Sequence, residues 1–254
     1  MRVYHYGNES NPPLILIHGF QCPLGIWQWH ITRYKKDFHV IVPELPGHNP
    51  ECYESFSSFQ NCAIHIEEFC KTCNATKSVS IYAISMGGLV ASLLWQRGIL
   101  EIDRIIMESS PLLPMGKIWS RFSTKFYINI GKKTRNGDAK TLENAKKLIH
   151  PNNLDSFITI VKNLKDSDID AFITEISNFK LPDNLKAPDQ LLCYIYGGSI
   201  SEMFFYIVSK YIKRKYPTAK TIRLKGMGHC EELLLRPEDN IKRIDKLLLL
   251  KSNS

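Results

Sequence analysis

In the stretch YAISMGG, residues 82–88, a serine stands between small neighbours, Ala83 two residues before it and Gly87 two residues after it. The apolar run SVSIYAI (78–84) reads as a strand and residues 87–98 as a helix, so Ser85 occupies the corner between them. A hydroxyl on that corner is exposed above the strand end, beside the free N–H groups and partial positive charge of a helix start. Small residues on both sides let the backbone turn that sharply, because a bulky Cβ would collide across the turn. The pattern A-x-S-x-G is one methyl group from the G-x-S-x-G elbow that presents a nucleophilic serine. Such a serine needs a base to take its proton and N–H donors to hold the negative charge that develops. His229, in KGMGHC, is placed for the base, in a loop between the last strand and the last helix. His18-Gly19-Phe20 closes an earlier strand, where a second N–H donor is needed. A lone serine at such a turn is usually only a helix cap; the ordered set of segments is what points to chemistry.

The elements that must position these residues alternate along the chain. Strands are expected at 2–6, 14–19, 39–45, 78–84, 102–109, 191–197 and 219–226, mostly as continuous apolar runs of the kind buried on both faces. Helices are expected at about 57–74, 87–98, 202–214 and 237–250; the first would set Phe59, Cys62, Ile66, Phe69 and Cys73 on one face. The last opens with Pro237, Glu238 and Asp239, residues suited to a first helical turn. This alternation is that of an α/β fold, a mainly parallel, doubly wound sheet. It fails at about 112–186, where TLENAKKLI, LDSFITIVKNL and DIDAFITEISNF read as short amphipathic helices of an insertion.

Four segments, HGF, VPELPGHN, YAISMGGLVA and GMGHCEELLLRPEDN, together resemble the α/β-hydrolase family, and the resemblance spans nearly the whole chain. It implies the α/β-hydrolase sheet as a core domain of residues 1–111 and 187–254, with 112–186 as a helical cap insertion. The family's order of nucleophile, acid and histidine fits Ser85 and His229. By the same resemblance the backbone N–H groups of Phe20 and Met86 form the oxyanion hole, Gly19 and Gly87 allow close approach, and His18 orients its loop. His48 matches a structural loop position, and Glu44 stabilises the same turn. The acid departs from the pattern: where the family carries G-x-x-D, the stretch YGGSISEMF has Ile200. Glu202, two residues on, and Glu108, in IIMESS, are the two candidates, and a chain with neither in reach would be impaired.

The activity implied is that of a carboxylesterase-like serine hydrolase, cleaving small or medium acyl esters through an acyl-enzyme. A thioesterase or acyltransferase, or a catalytically impaired ligand-binding protein, remains open on the same scaffold. The cap aromatics Trp119, Phe122, Phe126, Tyr127, Phe157, Phe172 and Phe179 are candidates for the pocket wall or for packing within the cap.

Composition bounds the rest. A chain of 254 residues with 44% hydrophobic and 23% charged residues is an ordinary globular one. No run is long and apolar enough for a membrane span, and the start MRVYHYGNESNPP lacks a signal-peptide core, so a cytoplasmic address is expected. The net charge of +8 concentrates at 117–147 and 210–225, without a nucleic-acid module; a small-molecule ester and no nucleic acid is the partner expected. Seven cysteines at irregular spacing read as reduced thiols, the CKTC pair (70–73) sits late in a helix, and Cys230 follows His229 without being a nucleophile. Neither a metal nor an organic cofactor is implied. His30, His39, His65 and His150 read as surface or packing residues.

Overall fold

The structure is a computed structural model that describes residues 1–183, 185–188 and 191–249. Its strands are β1 (Arg2–Tyr6), β2 (Pro13–Ile17), β3 (His39–Glu44), β4 (Val79–Ile84), β5 (Ile102–Glu108), β6 (Leu191–Gly197) and β7 (Lys220–Leu224). They form one sheet in the order β1-β3-β2-β4-β5-β6-β7. β1 pairs antiparallel with β3, and the other neighbours are parallel. Each expected strand is present, with ends shifted by two residues or fewer.

Helices α1 (Gln28–Tyr34), α2 (Phe59–Thr72), α3 (Gly87–Arg97), α8 (Met203–Lys215), α9 (Glu231–Leu235) and α10 (Pro237–Leu248) flank the sheet. Between β5 and β6 lie α4 (Lys117–Arg135), α5 (Ala139–Ala145), α6 (Leu154–Asn163) and α7 (Asp166–Asn178). α1 and α9 are too short for a helical period to stand out in the sequence. α10 ends at Leu248, and residue 250 of the expected helix lies outside the described residues, as do 189, 190 and 251–254 of the expected core domain. No helix among the described residues is long and apolar enough to cross a membrane.

The period of two in a strand sends neighbours to opposite faces. Ile15, Ile17, Ile81 and Ala83 pack with α2, α3 and the inner residues of α6 and α7. Leu14, Leu16, Tyr82 and Ile84 pack with α1 and α10 on the other face. In α2 the buried face is Phe59, Cys62, Ile66 and Cys70, while Phe69 and Cys73 are half-buried at its edge. The inserted helices are tied down by Phe172 of α7, which stacks on Phe56 at 3.8 Å between ring centres. Asp168 accepts from Tyr53 Oη, and Glu175 Oε2 accepts from the Phe59 N–H at 2.9 Å.

Candidate active site

β4 ends in the middle of the sheet, and the chain turns there into α3 through Ser85 and Met86. Ser85 has φ +49°, a left-handed conformation that costs a side-chain-bearing residue about 1–3 kcal/mol. The corner is held on one side by the Ser85 N–H donating to Glu108 O at 2.8 Å, and on the other by Ser85 O accepting from the Gly88 N–H at 3.1 Å. Gly87 is required by close approach: a Cβ there would lie 2.5 Å from Ile17 O and 2.7 Å from His18 O. The start of α3 is therefore seated directly on the end of β2, which carries the His18-Gly19-Phe20 loop.

Two buried histidines hold that loop. The Leu45 N–H donates to His18 Nε2 at 3.0 Å, so the ring proton is on Nδ1 and donates to Gly19 O at 2.9 Å. The Gln21 N–H donates to His48 Nε2 at 2.9 Å, and His48 Nδ1 donates to Pro46 O at 2.8 Å. Burial lowers His18 to about 4; burial and the neighbouring His18 lower His48 to about 3, so both rings are neutral and fixed in one tautomer. The loop thus pinned sets Phe20 beside Ser85, and among the described residues neither the Phe20 nor the Met86 backbone N–H has a hydrogen-bond partner. Glu44, at the end of β3, accepts from Asn49 Nδ2 at 2.6 Å within the same turn.

From the other side the loop after β7 brings His229 to the corner, with Nε2 2.9 Å from Ser85 Oγ. Its Nδ1 lies 3.3 Å from Glu202 Oε1, and Glu202 Oε2 accepts from Ser109 Oγ at 2.8 Å. Glu202 closes a 3-10 turn, Ile200–Glu202, that points Ile200 outward at 91% exposure and Glu202 inward at 2%. Burial alone would raise the Glu202 carboxyl, but hydrogen bonding to His229 and its charge, with the Ser109 hydroxyl and Gly197 N–H, outweigh it and lower it. Glu108 lies in a different network, its Oε2 accepting from Tyr82 Oη at 2.6 Å and Asn240 Nδ2 at 3.4 Å. Burial first, then Glu232, raises Glu108 to about 7.

The cavity over Ser85 and His229 is about 250 Å³, with apolar walls from Phe20, Met115, Trp119, Tyr127, Ile173 and Phe205. Of the expected aromatics, Trp119 and Tyr127 line it. Tyr127 also lines a second cavity of about 130 Å³ with Phe126 and Phe157. Phe172 is core, Phe179 packs at the core edge and Phe122 faces solvent. Cys230 is buried with its thiol pushed well up, and all seven cysteines are free. Among the described residues one group has metal-ligating atoms within 4.8 Å of one another: His5, Glu9 and His39, at β1 and β3, apart from Ser85.

A hydroxyl, an imidazole and a carboxylate in one hydrogen-bonded line, at the start of a helix, can perform acyl transfer. Residues 14–151, more than half of the chain, match the sequence pattern of the Alpha/beta hydrolase family. The chain belongs to that family. Among curated proteins this alpha/beta hydrolase is similar to the pimeloyl-(acyl-carrier protein) methyl ester esterase of Vibrio atlanticus (strain LGP32), 30% identical over 94 residues, 35% of this chain and 33% of that protein. The similarity thus spans about a third of the curated relative's length. Among solved structures the hydrolase resembles a carboxylesterase of the thaumarchaeon Nitrososphaera gargenis, with TM-score 0.75, 18% identity and coverage of 98% of this chain and 94% of that one. A thermophilic esterase from Thermogutta terrifontis matches with TM-score 0.73, 18% identity and coverage of 98% and 92%. At these identities the likeness concerns the fold.

Proposed function

We propose that this alpha/beta hydrolase is a carboxylesterase-like serine hydrolase that cleaves small or medium acyl esters through an acyl-enzyme. The observation that carries this is the line from Ser85 Oγ through His229 to Glu202, at 2.9 and 3.3 Å, opening into an apolar cavity. Ser85 Oγ attacks the ester carbonyl as His229 Nε2 takes its proton, and Glu202 stabilises the imidazolium from the Nδ1 side. The tetrahedral oxyanion is held by the N–H groups of Phe20 and Met86, each worth about 3 kcal/mol in comparable sites. His229 then protonates the leaving alcohol, and water, activated by the same ring, releases the acid.

Residues 112–186 serve as the cap, α4 and α7 closing the cavity that the sheet opens below, over a core of 1–111 and 187–254. A volume of about 250 Å³ suits an acyl group of modest size. Seven free thiols suit a reducing compartment, which supports a cytoplasmic location. The Vibrio relatives are methyl ester esterases, which favours ester over thioester.

The test is a fluorophosphonate probe read by intact mass, followed by turnover of p-nitrophenyl esters and an acyl-CoA. A single adduct on wild type and none on Ser85→Ala, with ester turnover exceeding thioester turnover, is expected. No adduct on folded wild-type protein would reject the proposal in favour of a ligand-binding protein, and preferred acyl-CoA turnover would favour a thioesterase.

A further inference from the structure

The inward face of α4 lines the cavity through Trp119 and Tyr127, while Ile118 and Phe122 turn outward. A helix face turned to water is normally polar. Here Ile118 is 89% exposed and Phe122 69%, four residues apart, and Phe126, 49% exposed, continues the row at the rim of the second cavity. Beside it runs a second exposed stripe at the same spacing, Lys117, Arg121 and Lys125, and α4 contains no acidic residue.

The other wall of the cavity also carries exposed apolar side chains. Phe204 and Phe205 of α8 line it, while Ile200, Met203 and Ile207, 91, 58 and 53% exposed, face out. Exposed apolar side chains therefore stand on both sides of the opening over Ser85, and those of α4 run beside an exposed basic stripe.

We infer that this face docks on an anionic lipid surface, with Ile118, Phe122, Ile200 and Met203 entering the headgroup boundary and the cavity mouth turned toward the lipid. Apolar side chains flanked by Lys and Arg suit that boundary, because the long basic side chains reach the phosphates while their stems stay apolar. A lipid surface fits better than a protein partner because Ile118 and Ile200 protrude almost fully, and a fluid bilayer receives protruding side chains without a shaped socket. The anionic preference follows from the acid-free basic stripe and from the net charge of +8. Docked this way, the site takes acyl esters dissolved in the bilayer. The docking itself does not depend on the hydrolase reading.

The experiment is co-sedimentation of the full chain with phosphatidylcholine vesicles, with and without phosphatidylglycerol, at low and high salt. Binding that requires phosphatidylglycerol and weakens with salt is expected. The double substitution Ile118→Glu/Phe122→Glu lowers the partition coefficient by about tenfold or more, and Lys117→Glu/Arg121→Glu/Lys125→Glu does the same. None of these side chains lines the cavity over Ser85, so melting temperature and fluorophosphonate labelling report that the variants are folded. No binding to phosphatidylglycerol vesicles overturns the inference, as does undiminished binding by the folded Ile118→Glu/Phe122→Glu protein. Binding to immobilised polyglutamate but not to vesicles overturns it in favour of an acidic protein partner.

Discussion

Two glutamates lie near the base, and their environments separate them. Glu202 is buried, yet His229, Ser109 and the Gly197 N–H hold it ionised below its ordinary range. Glu108, tied to Tyr82 and Asn240, is raised to about 7 and carries a proton much of the time at neutral pH. Only a carboxylate that stays ionised can stabilise an imidazolium. Glu202→Gln is therefore expected to lower kcat on a soluble ester by a factor on the order of 10²–10⁴, and Glu108→Gln to leave it within a few-fold. Equal losses in the two variants would count against Glu202 as the orienting acid. The pairing of Ser85 with His229 was legible in the sequence because each carries a local signature, AISMG and GMGHC. Which carboxylate meets His229 was less legible: Glu202 was the first candidate and Glu108 the alternative, and the choice depends on a 3-10 turn that buries Glu202 and turns Ile200 out, which no spacing rule encodes.

The site depends on how closely its elements meet at two glycines. β2 and α3 touch at Gly87, and the β6–α8 corner meets the His229 loop at Gly197, where a Cβ would lie 2.6 Å from both Met227 O and Gly228 O. Gly87→Ala must push the start of α3 away from the His18 loop, which separates the Met86 N–H from the Phe20 N–H. The folded variant is expected to lose about 1–3 kcal/mol of stability, as overpacked sites do. Its kcat should fall on the order of 10²-fold, the loss typical of one oxyanion donor, while KM changes little. Circular dichroism, a urea curve and steady-state kinetics on one preparation check this. Each strand was readable because continuous apolar runs of this length suit a doubly covered parallel sheet. α1 and α9 were not, being seven and five residues long, and in α2 the buried position is Cys70 because the helix turns Phe69 toward its edge.

Across the whole molecule, buried titratable groups pull stability in opposite directions with pH. His18 and His30 are lowered to about 4 and His48 to about 3 by burial. Their folded-state values are depressed, so the stability they lend as neutral rings is complete above about pH 6.5 and is lost as pH falls toward 4. Glu108 has the reverse sign. Its folded-state value is raised, so the folded chain prefers it protonated, and stability declines as pH rises from its ordinary 4.5 to about 7. The group spans layers: Glu108 on β5 meets Tyr82 on β4 and Asn240 on α10, and Asn240 Oδ1 lies 2.8 Å from His30 Nε2 on α1. Its ionisation therefore burdens the sheet and both helices on that face together. Glu108→Gln keeps an acceptor for Tyr82 and Asn240 without the buried charge. Its stability gain over wild type is expected to be small near pH 5 and to reach about 3 kcal/mol near pH 8. Urea denaturation of both proteins at the two pH values measures that difference directly, because the histidine contributions are common to both and cancel. A gain of the same size at both pH values would mean that Glu108 is ionised throughout and that its burial does not raise it.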